Sequence, residues 1–203
     1  MRKGRLEAFS DGVIAILITI MVFDLKAPAG ADEKTLLALL PAVLTYLLSF
    51  VYLAIYWNNH HHLWVMADRV NGRIMWANMH LLFWLSLIPF GTGWLHRSDF
   101  APLPVAVYGV ILSACTSSWM ILQSAIIAQQ GPASALRAAV GNDLKSKLSI
   151  ALYLSAVFLA YWQPAISLLI YLGLALVWIP PDRRFECAVD RQKGIETAQA
   201  SAE

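Results

Sequence analysis

An all-α integral membrane protein with six transmembrane helices in one chain is the fold this sequence predicts, and three observations predict it. Six apolar stretches divide the 203 residues, and a hydrocarbon core of about 30 Å asks for roughly 20 apolar helical residues per crossing. Hydrophobic residues make up 59% of the chain and charged ones 14%, against about 25% charged in average soluble domains, so no separate soluble domain is expected. Lysine and arginine gather in alternate connections, as topogenic charge does in short loops.

The first span covers residues 6–25: an unbroken apolar run from Val13 to Phe23 ends before the breaker-rich loop Ala27-Pro28-Ala29-Gly30. The second covers residues 35–66, longer than one crossing needs, so it tilts or projects beyond the bilayer. Asp68-Arg69-Val70-Asn71-Gly72-Arg73 is a polar return, and the third span follows at residues 74–95. After a proline-containing loop the fourth occupies residues 105–128 and stops at Gln129-Gln130-Gly131-Pro132, and residues 132–147 read as a surface connector. The final apolar run exceeds one crossing, and Trp162-Gln163-Pro164 divides it into spans at 145–161 and 164–179. Residues 1–181 thus form one six-span unit, and 182–203 a polar cytoplasmic tail.

With the N-terminus inside, the internal segments hold Arg2, Lys3, Arg5, Arg69, Arg73, Arg137, Lys145, Lys147, Arg183, Arg184, Arg191 and Lys193. Only Lys26, Lys34 and Arg97 fall outside, which places both termini in the cytoplasm. Residues 1–29 also have the outline of a secretory signal peptide. Glu7 and Asp11 interrupt the stretch before its core, and Asp24 and Lys26 lie between core and cleavage-like site, so the segment is read as a retained span. A net charge of +2 gives no argument for nucleic acid as a partner. Cys115 lies mid-span and Cys187 in the tail, which excludes a disulfide between them and leaves no paired-cysteine metal motif.

Arg5, Glu7, Ser10 and Asp11 crowd the entrance of the first span, where charge is expensive and usually functional. At 1.5 Å per residue, Ser10 and Asp11 share a depth with Asn58, Asn59 and His60-His61-His62 near the end of the second span, and with Asn78 and His80 early in the third. A bare carboxylate at that depth would cost several kcal/mol, so Asp11 needs a partner, with Arg5 and the histidines as candidates. The cluster admits two readings, an interhelical clasp or a proton relay. Consecutive helical residues point about 100° apart, so the three histidines do not converge on one ion and no metal site is expected.

Beyond Asp11, Phe9, Val13, Ile16, Ile20 and Phe23 recur at three- and four-residue spacing on one face, while Gly12, Ala15 and Thr19 are small residues suited to close packing. Asp24 lies one turn past Ile20 at the outer end, either to concentrate cations or as a solvated helix end. Trp57, Trp64, Trp76, Trp94, Trp162 and Trp178 fall near span ends and read as interface anchors. Ser113, Thr116, Ser117 and Ser118 in the fourth span read as helix packing.

Arg5-xxx-Phe9-Ser10-Asp11-Gly12-Val13-xx-Ile16-xx-Thr19 resembles the signature of the transmembrane protein 175 family, the potassium channels of endosomes and lysosomes and their prokaryotic relatives. The resemblance continues through Tyr56-Trp57-xx-His60-His61 at the end of the second span, then Asn78, Leu81-Leu82 and Pro89-Phe90-x-Thr92 in the third. It implies a potassium-channel fold without a re-entrant filter loop, four copies of the chain around one pore, and a prokaryotic inner-membrane location. It also implies that Ile16 forms the narrowest ring, with Ile20 and Phe23 further rings toward the outside and Thr19 contributing to selectivity beside Ile16. Arg5, Ser10, Asp11, His60, His61 and Asn78 match the polar network that supports the first span, and Asp24 falls at the outer mouth.

An apolar constriction gates by dewetting and passes an ion only when hydration is partly shed or carried through, which favours the more weakly hydrated K⁺ modestly over Na⁺. No Thr-Val-Gly-Tyr-Gly run exists, and Gly91-Thr92-Gly93-Trp94 echoes one only faintly at a helix end. No cofactor beyond permeating K⁺ and no enzymatic activity are expected. The competing class is a proton-coupled transporter or proton leak using Asp11 and the histidines, although midplane charges and broken-helix pairs are missing.

Overall fold

The apolar runs become helices, and their ends are written in the local sequence. In the computed structural model, which describes residues 2–180, the elements are α1 (Lys3–Ile20), a 3-10 turn (Met21–Asp24), α2 (Glu33–Val65), α3 (Gly72–Ser86), α4 (Ile88–Arg97), α5 (Pro102–Gln130), α6 (Ala135–Val140), α7 (Leu144–Leu159) and α8 (Pro164–Trp178). The 182–203 tail, with Cys187 and the basic residues Arg183, Arg184, Arg191 and Lys193, lies outside the described residues. Asp32 caps α2 by accepting the Thr35 N–H at 3.0 Å, and the same threonine holds the Asp32 carboxyl below its ordinary range. Asn71 caps α3 through the Ile74 N–H at 2.9 Å.

Four helical runs among the described residues are long and apolar enough to cross a membrane: Lys3–Asp24, Glu33–Val65, Gly72–Arg97 and Pro102–Gln130. At 16 and 15 residues, α7 and α8 are shorter than one full crossing. The 33 residues of α2 extend ~50 Å, well past a hydrocarbon core.

Two segments differ from the sequence reading. The third run is not one helix over 74–95 but breaks at Leu87 between α3 and α4. Pro89 is the cause, since it has no N–H for the Leu85 carbonyl and its ring crowds that oxygen. The 132–147 connector is not merely superficial, because α6 turns Leu136, Ala139 and Val140 into the core.

The core has two joined parts. One is built from α1, α2, α3, α6 and the later half of α5, the other from α2, α4, the early half of α5, α7 and α8. α5 runs between them and packs against α3, α4, α7 and α8. Polar side chains join the helices where they cross. Ser49 Oγ lies 2.8 Å from the Tyr108 hydroxyl and 2.5 Å from Thr92 Oγ1, so the Gly91-Thr92-Gly93-Trp94 stretch is ordinary helix. Tyr153 donates to the Tyr52 hydroxyl at 3.1 Å, and Tyr52 donates to the Tyr171 carbonyl at 2.6 Å. The hydroxyls of Thr116, Ser117 and Ser118 return to carbonyls of their own helix.

Candidate functional site

α1 has two unlike faces. Leu6, Ser10, Ile14 and Leu17 repeat every three or four residues and are buried against the bundle, followed by Met21. The opposite face is uncovered, with Phe9 half exposed, Ile16 61% exposed, Ile20 48% and Phe23 80%. Gly12, Ala15 and Thr19 are exposed beside them. Thr19 Oγ1 donates back into its own helix, lying 3.0 Å from the Ile16 carbonyl and 3.1 Å from that of Ala15. The helix ends at Ile20, and Phe23 stands on the tighter 3-10 turn that follows.

Beneath the inner face of α1 lies a closed polar chain. His60, Asn78 and Ser10 are all fully buried. His60 Nε2 donates to Asn78 Oδ1 at 2.8 Å, Asn78 Nδ2 donates to Ser10 Oγ at 2.9 Å, and Ser10 donates to the Leu6 carbonyl at 2.9 Å. The Trp64 indole N–H is 3.1 Å from His60 Nδ1 and 2.9 Å from Nε2. Nε2 holds the proton given to Asn78, so Nδ1 is the acceptor and the imidazole is neutral in this arrangement. Every donor is directed toward α1, and the chain stops at a backbone carbonyl. Such a network joins three helices without leaving a buried polar group unpaired.

A second set of contacts runs along the rim between α1 and α2. Lys3 Nζ donates to the Ala67 carbonyl at 2.9 Å, Glu7 Oε1 lies 3.3 Å from His61 Nδ1, and Asp11 accepts the Trp57 indole N–H at 3.1 Å. Residues 3, 7 and 11 are one helical turn apart, and their partners, Ala67 just past α2 and then His61 and Trp57 on it, descend as an antiparallel ladder. At the other end of α1, Asp24 pairs with Arg97 and its carboxylate rests against Gly93, where a Cβ would stand only 2.8 Å from Oδ2.

The structure therefore brings Ser10, His60 and Asn78 together as one cluster, and Asp11 and His61 into a separate ladder. Asp11 is held by Trp57, not by Arg5 or a histidine, because its side chain leaves α1 about 100° away from that of Ser10. Arg5 is exposed. The pairings of Lys3, Glu7 and Trp57 escaped sequence reasoning, although the four-residue spacing of Lys3, Glu7 and Asp11 was the available signal. Trp64 is fully buried against His60, so it is a core residue and not an interface anchor.

A family model described as the endosomal/lysosomal potassium channel TMEM175 matches residues 5–89, which contain every α1, α2 and α3 residue named above except Lys3. A potassium channel of Chryseobacterium sp. (strain P1-3) is 48% identical over 186 residues, covering 92% of this chain and 97% of the relative. A potassium channel of Streptomyces collinus is 35% identical over 128 residues, 59% of this chain and 62% of the relative. Among solved structures, the crystal structure of a lysosomal potassium-selective channel TMEM175 homolog from Chamaesiphon minutus superposes with a TM-score of 0.75 at 27% identity, over 89% of this chain and 97% of that one. With the family model matched over residues 5–89 and the Chryseobacterium relative 48% identical over nearly the whole length of both chains, the chain belongs to the TMEM175 family.

Proposed function

We propose that this chain is one subunit of a potassium channel with modest selectivity over sodium, in which α1 from four copies lines a central pore. Ile16 forms the narrowest ring, and Ile20 and Phe23 form further rings toward the outer mouth. The observation that carries this reading is the two-sidedness of α1. Its inner face is fastened by Ser10, while Phe9, Ile16, Ile20 and Phe23 stand uncovered with Gly12 and Ala15 among them. Lipid would satisfy an apolar face, but small residues interleaved with large ones suit close approach of a neighbouring helix. The relatives from Chryseobacterium and Streptomyces, and the Chamaesiphon structure, are named potassium channels, which supports K⁺ as the permeant ion.

In this reading the crossings are α1, α2, the α3–α4 pair, α5, α7 and α8. Residues 1–181 make the channel unit, 182–203 a tail, and both termini face the cytoplasm of a prokaryotic inner membrane. Thr19 spends its hydroxyl proton on its own helix, leaving lone pairs free to replace lost water beside the Ile16 ring. Asp24 braces the outer end of α1 through Arg97, which reduces its pull on cations at the mouth. Ser10, Asp11, His60, His61 and Asn78 hold α1 at a fixed rotation and have no transport role of their own. Conduction of this kind needs no cofactor and no catalytic group.

The test is K⁺ flux into liposomes containing the purified protein. Ile16→Asn should raise flux and lower K⁺ preference over Na⁺, because an amide wets the ring. Unaltered flux in both Ile16→Asn and Ile20→Asn would remove the pore assignment. Saturating exchange that depends on a proton gradient and is lost in Asp11→Asn would favour a carrier.

A further inference from the structure

At the ends of α5 and α7 that the charge asymmetry assigns to the cytoplasm, α5, α6 and α7 enclose a cavity of about 140 Å³. Its lining includes Gln123 and Ile127 from α5, Arg137 from α6, Asn142 and Asp143 from the turn, and Lys147 from α7. The position is fixed on both sides. α6 is anchored by buried Leu136, Ala139 and Val140, and the turn after it holds Gly141 at φ 56° and Asp143 at φ 44°.

Charge in this cavity is unbalanced. Among the described residues neither Arg137 nor Lys147 takes part in an ion pair, and both are exposed at the rim. Asp143 is the acid present, and both of its oxygens are committed to the protein. Oδ1 accepts from Ser146 at 2.9 Å, and Oδ2 faces the Gln123 amide nitrogen at 3.2 Å in the orientation that also lets Gln123 accept from Trp119 at 3.0 Å. The cavity thus presents two cations, the Asn142 amide and the Asp143 carboxylate, a net charge of +1 with the carboxylate oxygens turned to Ser146 and Gln123.

We propose that this cavity binds a phosphate group, whether carried on an anionic phospholipid such as phosphatidic acid or free in solution. Arg137 supplies a planar fork for two phosphate oxygens, Lys147 a point charge, and Asn142 a neutral donor. Basic pockets between transmembrane helices on the cytoplasmic side suit lipid head groups, and the apolar side chain of Ile127 at the rim offers a path for an acyl chain. The proposal rests on the orientation reading for which membrane face carries the site, and is independent of the pore.

The test is thermal unfolding of the full chain in detergent with dioctanoyl phosphatidic acid, dioctanoyl phosphatidylcholine or inorganic phosphate added. Phosphatidic acid should raise the midpoint saturably and phosphatidylcholine should not. Arg137→Gln with Lys147→Gln should weaken the effect about tenfold or more, the loss expected from removing charge-assisted contacts. Arg137→Lys should retain part of it, and Lys34→Gln, at the opposite membrane face, all of it. Should the double variant not be recovered folded, Lys147→Gln alone carries the same comparison. Competition by inorganic phosphate assigns the site to soluble phosphate, and its failure to compete assigns it to lipid. Equal shifts with the two lipids, or equal affinity in wild type and variant, would overturn the site. Binding is read without ion flux, so this result and that of the Ile16 experiment stand apart.

Discussion

Asn78 on α3 donates to Ser10 on α1 at 2.9 Å across 68 residues of sequence, and both side chains are fully buried. This bond fixes the rotation of α1 about its own axis. With Ser10 turned inward, geometry sends Ile16, six residues later and about 240° around the helix, to the outward side. A structural hydrogen bond therefore decides which residues α1 offers beyond the protomer.

Ser10→Ala should destabilise the protein by about 1–2 kcal/mol, because the Asn78 amide loses its acceptor in a dry site. Adding Asn78→Leu should cost less than the sum of the two single changes, since the orphaned group is then gone. Chemical unfolding in detergent, run as a double-mutant cycle, checks both statements.

The two carboxylates of α1 should differ in what they hold. Asp11 and Asp24 are both half-buried, but Asp11 receives the Trp57 indole N–H across the α1–α2 rim, a charge-assisted bond, whereas Asp24 pairs with Arg97, whose side chain is 59% exposed. Exposed pairs contribute about 0–1 kcal/mol. Asp11→Ala should therefore lower the recovery of assembled protein more than Asp24→Ala, and Trp57→Phe should reproduce the Asp11 effect. Size-exclusion profiles of the three variants at equal expression measure this.

Depth was legible in the sequence and azimuth was not. A fixed rise per residue placed Ser10, Asp11, His60 and Asn78 in one layer, and the helices put Ser10, His60 and Asn78 in contact. Which neighbour each residue meets depends on how the helices are rotated against one another, a property of packing over the whole bundle. Ser10 and Asp11 are adjacent in sequence, yet one faces α3 and the other the α2 rim. Trp64 misled for the same reason, since an aromatic near a span end can face lipid or core and only His60 beside it decides. Pro89 was visible, but its effect, a break at Leu87, was not drawn from it. The 132–147 connector could be read as a lateral surface helix, but the six residues of α6 are too few to set a period that shows its buried side.

Gly109→Ala should destabilise by about 1–3 kcal/mol through overpacking. A Cβ there would collide with the Tyr171 hydroxyl and come within 2.9 Å of Val157 Cγ2, at the place where α5 meets α7 and α8. The Tyr171 hydroxyl cannot retreat freely, since it donates to the Val105 carbonyl at 3.1 Å. A lowered thermal midpoint with unchanged ion preference is expected, because this crossing lies away from α1.

Gly12→Leu separates the protomer from the assembly. Among the described residues nothing stands within 4 Å of the position a Gly12 Cβ would take, so the protomer has room for the side chain. Replacing a mid-helix glycine with leucine favours the helix by about 0.8–1 kcal/mol, so the isolated fold should be as stable as before or slightly more so. If α1 faces its symmetry mates across a narrow axis, four leucines must enter a space that four glycines left open. Oligomer recovery or K⁺ flux should then fall while the protomer's helicity and melting stay intact, with Gly12→Ala falling between. Wild-type assembly and flux in Gly12→Leu would mean that this face meets lipid, and the α1-lined pore would have to be abandoned.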